Sequence, residues 1–311
     1  MALRYIIGVD LGATNIKLGL LKKERIILKE ILPTRDFPSK ENLLSGLCQA
    51  MLGLLDKRKI SKKNVSGVGI GAPGPVDSKN GIVHYFPNLK GWRNVPLKKI
   101  IQERLGLPVF IDNDANLMCL AEARSGAAKG KRNVVCLTLG TGVGAGIILE
   151  GQLYRGASLV AGEIGHIPLN ESGPRCNCGG IACLERYIGN RYILEKARSA
   201  FGGEISLERL SLFARQGNVK AQGIWQEAAR HLGICLSGIV NFLNPQAIVI
   251  GGGVSGAGRF ILDTVRKVIK TRSMPVQAKT VKILKAKLGS DAGIIGAAFL
   301  VKEALIRGRR Y

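Results

Sequence analysis

Val9-Asp-Leu-Gly-Ala-Thr-Asn-Ile-Lys-Leu-Gly-Leu-Leu21 and Leu137-Thr-Leu-Gly-Thr-Gly-Val-Gly-Ala-Gly-Ile-Ile-Leu149 follow one pattern: an apolar strand, a glycine turn and a second apolar strand. Two copies of one unit in a chain of 311 residues predict two lobes facing each other across a cleft. Backbone amides gathered in such a turn make a cradle for an anion. Asp10 sets a carboxylate at the end of the first strand, and the Thr14 hydroxyl adds a donor. Gly140, Thr141 and Gly142 offer a second cradle. One glycine turn alone is ordinary hairpin geometry. Its duplication, with Gly251-Gly252-Gly253 after a further apolar strand, points to the two ends of a triphosphate. No Gly-Lys-Ser/Thr ending occurs, which excludes the P-loop fold.

Outward from these turns the pattern is α/β. Strands are expected at Arg4 to Asp10, Ile16 to Leu21, Ile26 to Leu32, Val65 to Ala72, Val109 to Asp112, Pro245 to Ile250 and Lys282 to Lys285. Helices are expected at Asn42 to Leu55, Ala115 to Arg124, Leu207 to Arg215, Gln222 to Phe242 and Ser290 to Ile306. At the Val109 strand's exit stand Asp112, Asn113 and Asp114. A carboxylate there can take a proton from a hydroxyl that attacks a γ-phosphate, because phosphoryl transfer asks mainly for positioning and charge neutralisation. Asp114 is the candidate base. It equally suits the cap of the following helix, and Asp112 is a competing carboxylate.

Lys and Arg number 46 against 22 Asp and Glu, a net charge of +24. The cations are spread along the chain, without aromatic interleaving or a reading motif, so no specific nucleic-acid partner is expected. No apolar run is long enough for a membrane span and no signal peptide precedes the first strand, which predicts a cytoplasmic protein without a membrane partner.

Four of the seven cysteines are scattered among apolar residues, whereas Cys176, Cys178 and Cys183 cluster ten residues after His166. Three thiolates and an imidazole match a closed tetrahedral zinc site, which shapes a loop and leaves no open position for water. Glu163 and Glu185 flank it, two carboxylates able to grip a polyhydroxylated ligand.

With these residues in place, the chain resembles the bacterial ROK proteins (repressors, open reading frames, sugar kinases) of the actin, Hsp70 and hexokinase superfamily. The resemblance runs from Asp10 to Gly296 through Asp10-Leu-Gly-Ala-Thr14, Gly71-Ala-Pro-Gly-Pro75, Asn113-Asp-Ala-Asn116, Leu139-Gly-Thr-Gly-Val-Gly144, Gly162-Glu-Ile-Gly-His166 and the cysteine cluster. It implies a two-lobed actin-like, ribonuclease H-like fold with the ligand cleft between lobes. The small lobe would span 1–113, completed by 290–311, and the large lobe 114–289. Asp114 would be the base. A hexose would be held by Gly74, Asn88, Asn113, Asp114, Glu163, His166 and Glu185, and zinc by His166, Cys176, Cys178 and Cys183. ATP with Mg²⁺ would lie on Asp10, Gly12, Thr14, Lys17, Gly140, Thr141 and Gly142, and on Gly252 and Gly253.

The segments around Gly71 and Asn88 look most like ROK glucokinases. Glucose is the first expected substrate, followed by N-acetylglucosamine or N-acetylmannosamine, then fructose, with a homodimer as the expected assembly. The repressors carry an additional N-terminal winged helix, for which the residues before the first strand leave no room. The kinase branch is therefore expected, with a non-catalytic sugar-sensing regulator as the reading from another class. One departure stands out: the family usually has glycine before the third cysteine, and this chain has Ala182. If that position needs φ > 0, alanine costs stability there; the expectation is a slightly bent loop that still binds metal.

Overall fold

The first apolar run and its return form β1 (Tyr5–Leu11) and β2 (Asn15–Lys22), an antiparallel pair in which Asp10 lies opposite Lys17. The computed structural model describes residues 5–86 and 91–307. Strands β3 (Arg25–Pro33), β4 (Val65–Ala72), β5 (Val76–Asp77), β6 (Ile82–Tyr85), β7 (Arg93–Val95) and β8 (Val109–Asn113) follow, with α1 (Lys40–Lys57), α2 (Leu97–Leu105) and α3 (Asp114–Arg124). The second half contains β9 (Val134–Leu139), β10 (Val143–Leu149), β11 (Gln152–Tyr154), β12 (Ala247–Gly251) and β13 (Lys282–Lys285). Its helices are α4 (Glu185–Ile188), α5 (Asn190–Phe201), α6 (Leu207–Arg215), α7 (Val219–Leu243), α8 (Arg259–Arg272) and α9 (Pro275–Thr280), and α10 (Ala292–Arg307) closes the chain.

The chain divides into two units. The first comprises residues 1–124, 155–161 and 290–311, the second residues 125–154 and 162–289. This division falls after Arg124, whereas the sequence expectation placed it at 113. The reason is α3, which packs on α10 within the first unit: Gly296 lies so close to the Leu117 carbonyl that a Cβ there would meet it.

The first unit is built on a sheet of order β3-β2-β1-β4-β8, with β1 to β3 antiparallel and β4 and β8 parallel to β1. The second repeats it as β11-β10-β9-β12-β13, with the same three antiparallel and two parallel strands. The repeat seen in the sequence is therefore a repeat of topology, β1 and β2 corresponding to β9 and β10. This is the duplicated two-lobed α/β fold of the actin-like class.

Each unit has its own core. Ile7, Val9, Leu18, Leu43, Leu47, Ile70 and Ile111 lie in the first, and Val135, Leu137, Leu184, Trp225, Leu236, Ile248 and Val265 in the second, all effectively inaccessible to water. Each such side chain contributes about 1.5–3 kcal/mol by burial, which pins the register of the strands and hence the positions of their loop ends. Among the described residues no helix is long and apolar enough to cross a membrane.

Candidate functional site

In the first unit, the turn between β1 and β2 is drawn tight by Gly12 N–H donating to the Asn15 carbonyl at 3.0 Å. Thr34, just past the end of β3, braces it: its hydroxyl donates to the Gly12 carbonyl at 2.8 Å and its N–H to the Thr14 carbonyl at 2.9 Å. Sequence reasoning passed over Thr34, a buried polar residue with no local motif. Thr14 itself is exposed. Asp10 is held between Lys17 Nζ, 3.3 Å from Oδ2, and the start of α10, where a Cβ on Gly293 would stand 2.8 Å from Oδ2. Burial pushes the Asp10 carboxyl up from its usual range, against the lowering pull of Lys17. A carboxylate kept at that desolvation cost beside a helix N-terminus suits a cation-assisted phosphate site.

At the β8–α3 junction the three polar residues have different partners. Asp112 is 1% exposed and saturated. Its Oδ1 accepts from Asn113 N–H and Asn116 Nδ2, both at 2.8 Å, and its Oδ2 accepts from Arg155 Nε at 2.8 Å and Nη2 at 2.6 Å. The Asn113 side-chain Oδ1 caps α3 by accepting from Ala115 N–H at 2.9 Å and Asn116 N–H at 3.3 Å, while its Nδ2 donates to the Gly74 carbonyl at 3.0 Å. Gly74 and Asn113 are thus joined. Asp114, half-buried, accepts from Ala115 N–H at 2.7 Å. Both Asp112 oxygens are thus committed to the start of α3 and to Arg155. Arg155 went unnoticed in the sequence because nothing near Tyr154-Arg155 marks it. Asn88 lies outside the described residues.

In the second unit the two remaining glycine turns come together. Gly252, with φ of +86°, packs against Leu139 so closely that a Cβ would collide with its backbone; both facts require glycine there. A short 3-10 turn, Gly253–Ala257, stands between this glycine run and α8. The Gly140–Val143 turn is closed by Gly140 N–H donating to the Gly142 carbonyl at 2.9 Å. Glu185, the first residue of α4, reaches it: Oε2 accepts from Val143 N–H at 2.9 Å.

His166, Cys176, Cys178 and Cys183 also converge, with their ligand atoms all within 4.8 Å of one another. Cys176 Sγ lies 3.7 Å from His166 Nδ1 and Cys178 Sγ lies 3.7 Å from Cys183 Sγ. Zinc–sulfur bonds of about 2.3 Å in a tetrahedron require edges of roughly 3.8 Å, so the donor set fits zinc. His166 turns Nδ1 to Cys176, while its Nε2 stands 3.8 Å from Glu163 Oε2, beyond hydrogen-bond distance. A turn formed by Cys176 N–H to the Gly180 carbonyl and Gly179 N–H to the Cys176 carbonyl holds two of the sulfurs. The Gly180 N–H pointing at Sγ holds the Cys178 thiol below its ordinary range, whereas burial, then the neighbouring sulfurs, pushes Cys183 up to about 12. Ala182 is fully buried with φ of +54°: the loop keeps the left-handed conformation that a glycine would adopt freely.

A profile of the ROK family matches residues 6–304. The chain is 35% identical over 317 residues to a glucokinase of Thermotoga maritima, covering 96% of this chain and 98% of the relative. It is 34% identical to a xylose repressor of Caldicellulosiruptor bescii, covering 98% of this chain and 80% of the repressor. Among solved structures, a ROK family glucokinase from Streptomyces griseus in complex with glucose and AMPPNP superposes with a TM-score of 0.83 at 36% identity, covering 96% of this chain and 99% of that one.

Proposed function

The chain belongs to the ROK family, and from that premise we propose that it is an ATP-dependent sugar kinase phosphorylating the 6-hydroxyl of glucose. The observation that carries the reading is that both Asp112 oxygens are held by the helix start and Arg155, which removes the competing carboxylate at the β8–α3 junction from candidacy as the base. Relatives named glucokinase, one bound to glucose and an ATP analogue, support the substrate pair.

In this reading the Asp114 carboxylate takes the proton of the 6-hydroxyl as its oxygen bonds to the γ-phosphorus, and the bond from that phosphorus to the ADP oxygen breaks. Asn113 and Gly74 set the turn that aims Asp114. Glu163, His166 and Glu185 take sugar hydroxyls, with Asn88 as a further contact. The phosphates lie on Gly12 and Thr14, on Gly140 to Gly142 and on Gly252 and Gly253, with Asp10 and Lys17 at the first turn. Mg²⁺, when bound with the nucleotide, supplies charge neutralisation. Zinc on His166, Cys176, Cys178 and Cys183 is structural, because four protein donors leave no position for substrate. The reading includes a homodimer, which light scattering tests directly.

The deciding experiment is a coupled ADP-release assay with Mg-ATP across glucose, mannose, fructose, N-acetylglucosamine and N-acetylmannosamine, beside Asp114→Asn. Glucose-dependent turnover that falls by about 10²–10⁴ in the variant is the expected result, the range of a general base. Turnover on an N-acetylhexosamine or fructose instead would reassign the substrate. Silence on every sugar, with a sugar still bound, would favour a sensing regulator, the reading suggested by the xylose repressor's similarity.

A further inference from the structure

The shape of the Gly140–Val143 turn is set from far along the chain. Three contacts from the stretch Glu185 to Asn190 converge on it. Glu185 Oε2 accepts from Val143 N–H at 2.9 Å, Asn190 N–H donates to the Gly140 carbonyl at 3.0 Å, and a Cβ on Gly189 would stand 3.3 Å from the Thr141 carbonyl. The fit is close: a Cβ on Gly142 would stand 2.7 Å from Glu185 Oε2. Glu185 is in turn anchored by the metal loop. Cys183 is two residues before it, and Leu184 N–H donates to the Ile167 carbonyl at 2.9 Å, next to His166.

We propose that Glu185 is a positioning residue of the phosphate turn: its carboxylate fixes the Val143 amide and so ties the nucleotide cradle to the metal loop. This rests on the proposed function only in taking Gly140 to Gly142 as a phosphate cradle. With Val143 N–H occupied by Glu185 and Gly140 N–H turned to Gly142, the Thr141 and Gly142 amides are left, among the described residues, for an anion. Holding them in place before the nucleotide arrives removes the cost of ordering a glycine-rich turn at the moment of binding. A residue whose other contacts are assigned to the sugar would then link the two substrates, since whatever moves its carboxylate moves the cradle.

The test must separate the hydrogen bond from the charge, because removing a carboxylate beside phosphates also relieves repulsion. Glu185→Gln and Glu185→Ala both lack the charge, and only the glutamine keeps an oxygen that can accept from Val143 N–H. AMPPNP affinity is measured by calorimetry without sugar on zinc-loaded protein, with hydrogen exchange of peptides spanning 139–146 followed in parallel. Glu185→Ala is expected to bind AMPPNP about tenfold more weakly than Glu185→Gln, the scale of one hydrogen bond to a buried group, and to exchange faster over 139–146. Stripping zinc should weaken AMPPNP binding by the parent protein and add little in Glu185→Ala. Equal affinity and equal exchange in the two variants would overturn the clamp alone. Failure of the parent protein to bind AMPPNP would overturn the nucleotide reading and the proposal with it.

Discussion

Asp112 Oδ2 receives both Nε and Nη2 of Arg155, at 2.8 and 2.6 Å, and the carboxylate is almost wholly removed from solvent. The two residues are 43 positions apart, and Arg155 opens the short segment 155–161 that returns to the first unit. Removing one partner leaves a buried charge unpaired. Arg155→Met is therefore expected to cost about 3–5 kcal/mol of unfolding free energy, read from urea melts, while Arg155→Lys recovers part of it through a single contact. A loss below about 1 kcal/mol for the methionine variant would show that the pair is not buried in solution.

Asp10 should trade stability for function. Its folded pKa lies above the ordinary value of 3.8 because burial disfavours the charged form. The native state thus binds that proton more tightly than the unfolded chain. Stability is lost as pH rises from 3.8 through the raised folded pKa, so the native state carries a penalty on the alkaline side of 3.8. Asp10→Asn should raise the thermal midpoint at pH 7, with the gain shrinking toward pH 4. The lost Lys17 contact, on a partly exposed side chain, offsets it by at most about 1 kcal/mol. ADP release should fall by about tenfold or more. A variant no more stable than the parent at pH 7 would refute the desolvation argument.

The Ala182 position can be priced from both sides. A left-handed alanine costs roughly 1–2 kcal/mol, which glycine would relieve. Deleting its buried methyl costs about 0.8 kcal/mol and glycine loosens the unfolded chain. Ala182→Gly should therefore change stability by less than about 1 kcal/mol with zinc retained. Ala182→Val, a β-branched residue at φ of +54° in a fully buried site, should lose more than about 2 kcal/mol and shed zinc on dialysis. A tolerated valine would mean that the loop adopts another conformation.

Zinc affinity should depend steeply on pH. With Cys183 pushed up to about 12 in the metal-free loop, binding near neutrality must expel its proton. Affinity measured by competition with a chromophoric chelator is expected to rise by about tenfold or more per pH unit between pH 6 and 8, at least one proton being released. A flat profile would place the metal elsewhere or show that Cys183 is not a ligand.

Much of this was legible in the chain. The repeat of Val9 to Leu21 in Leu137 to Leu149 became a repeat of sheet order, and several strand and helix limits, such as Val65 to Ala72 and Leu207 to Arg215, coincide with the sequence reading. The convergence of His166 with Cys176, Cys178 and Cys183 was readable because metal spacing is local. The boundary after Arg124 was not, since a helix's allegiance depends on what it packs against, here α10 from the far end of the chain.

By itself, the sequence determined the strand–turn–strand units, the glycine turns and a His/Cys set able to hold a metal, because each is written in residues a few positions apart whose backbone preferences and side-chain chemistry act locally. Only the tertiary structure gave Asp112 its partner in Arg155 and Glu185 its partner on Val143, and showed that Ala182 bears a left-handed φ. Those outcomes depend on partners some forty residues away and on burial, and a buried carboxylate is assigned its role by whichever donors the packed chain brings within hydrogen-bonding reach.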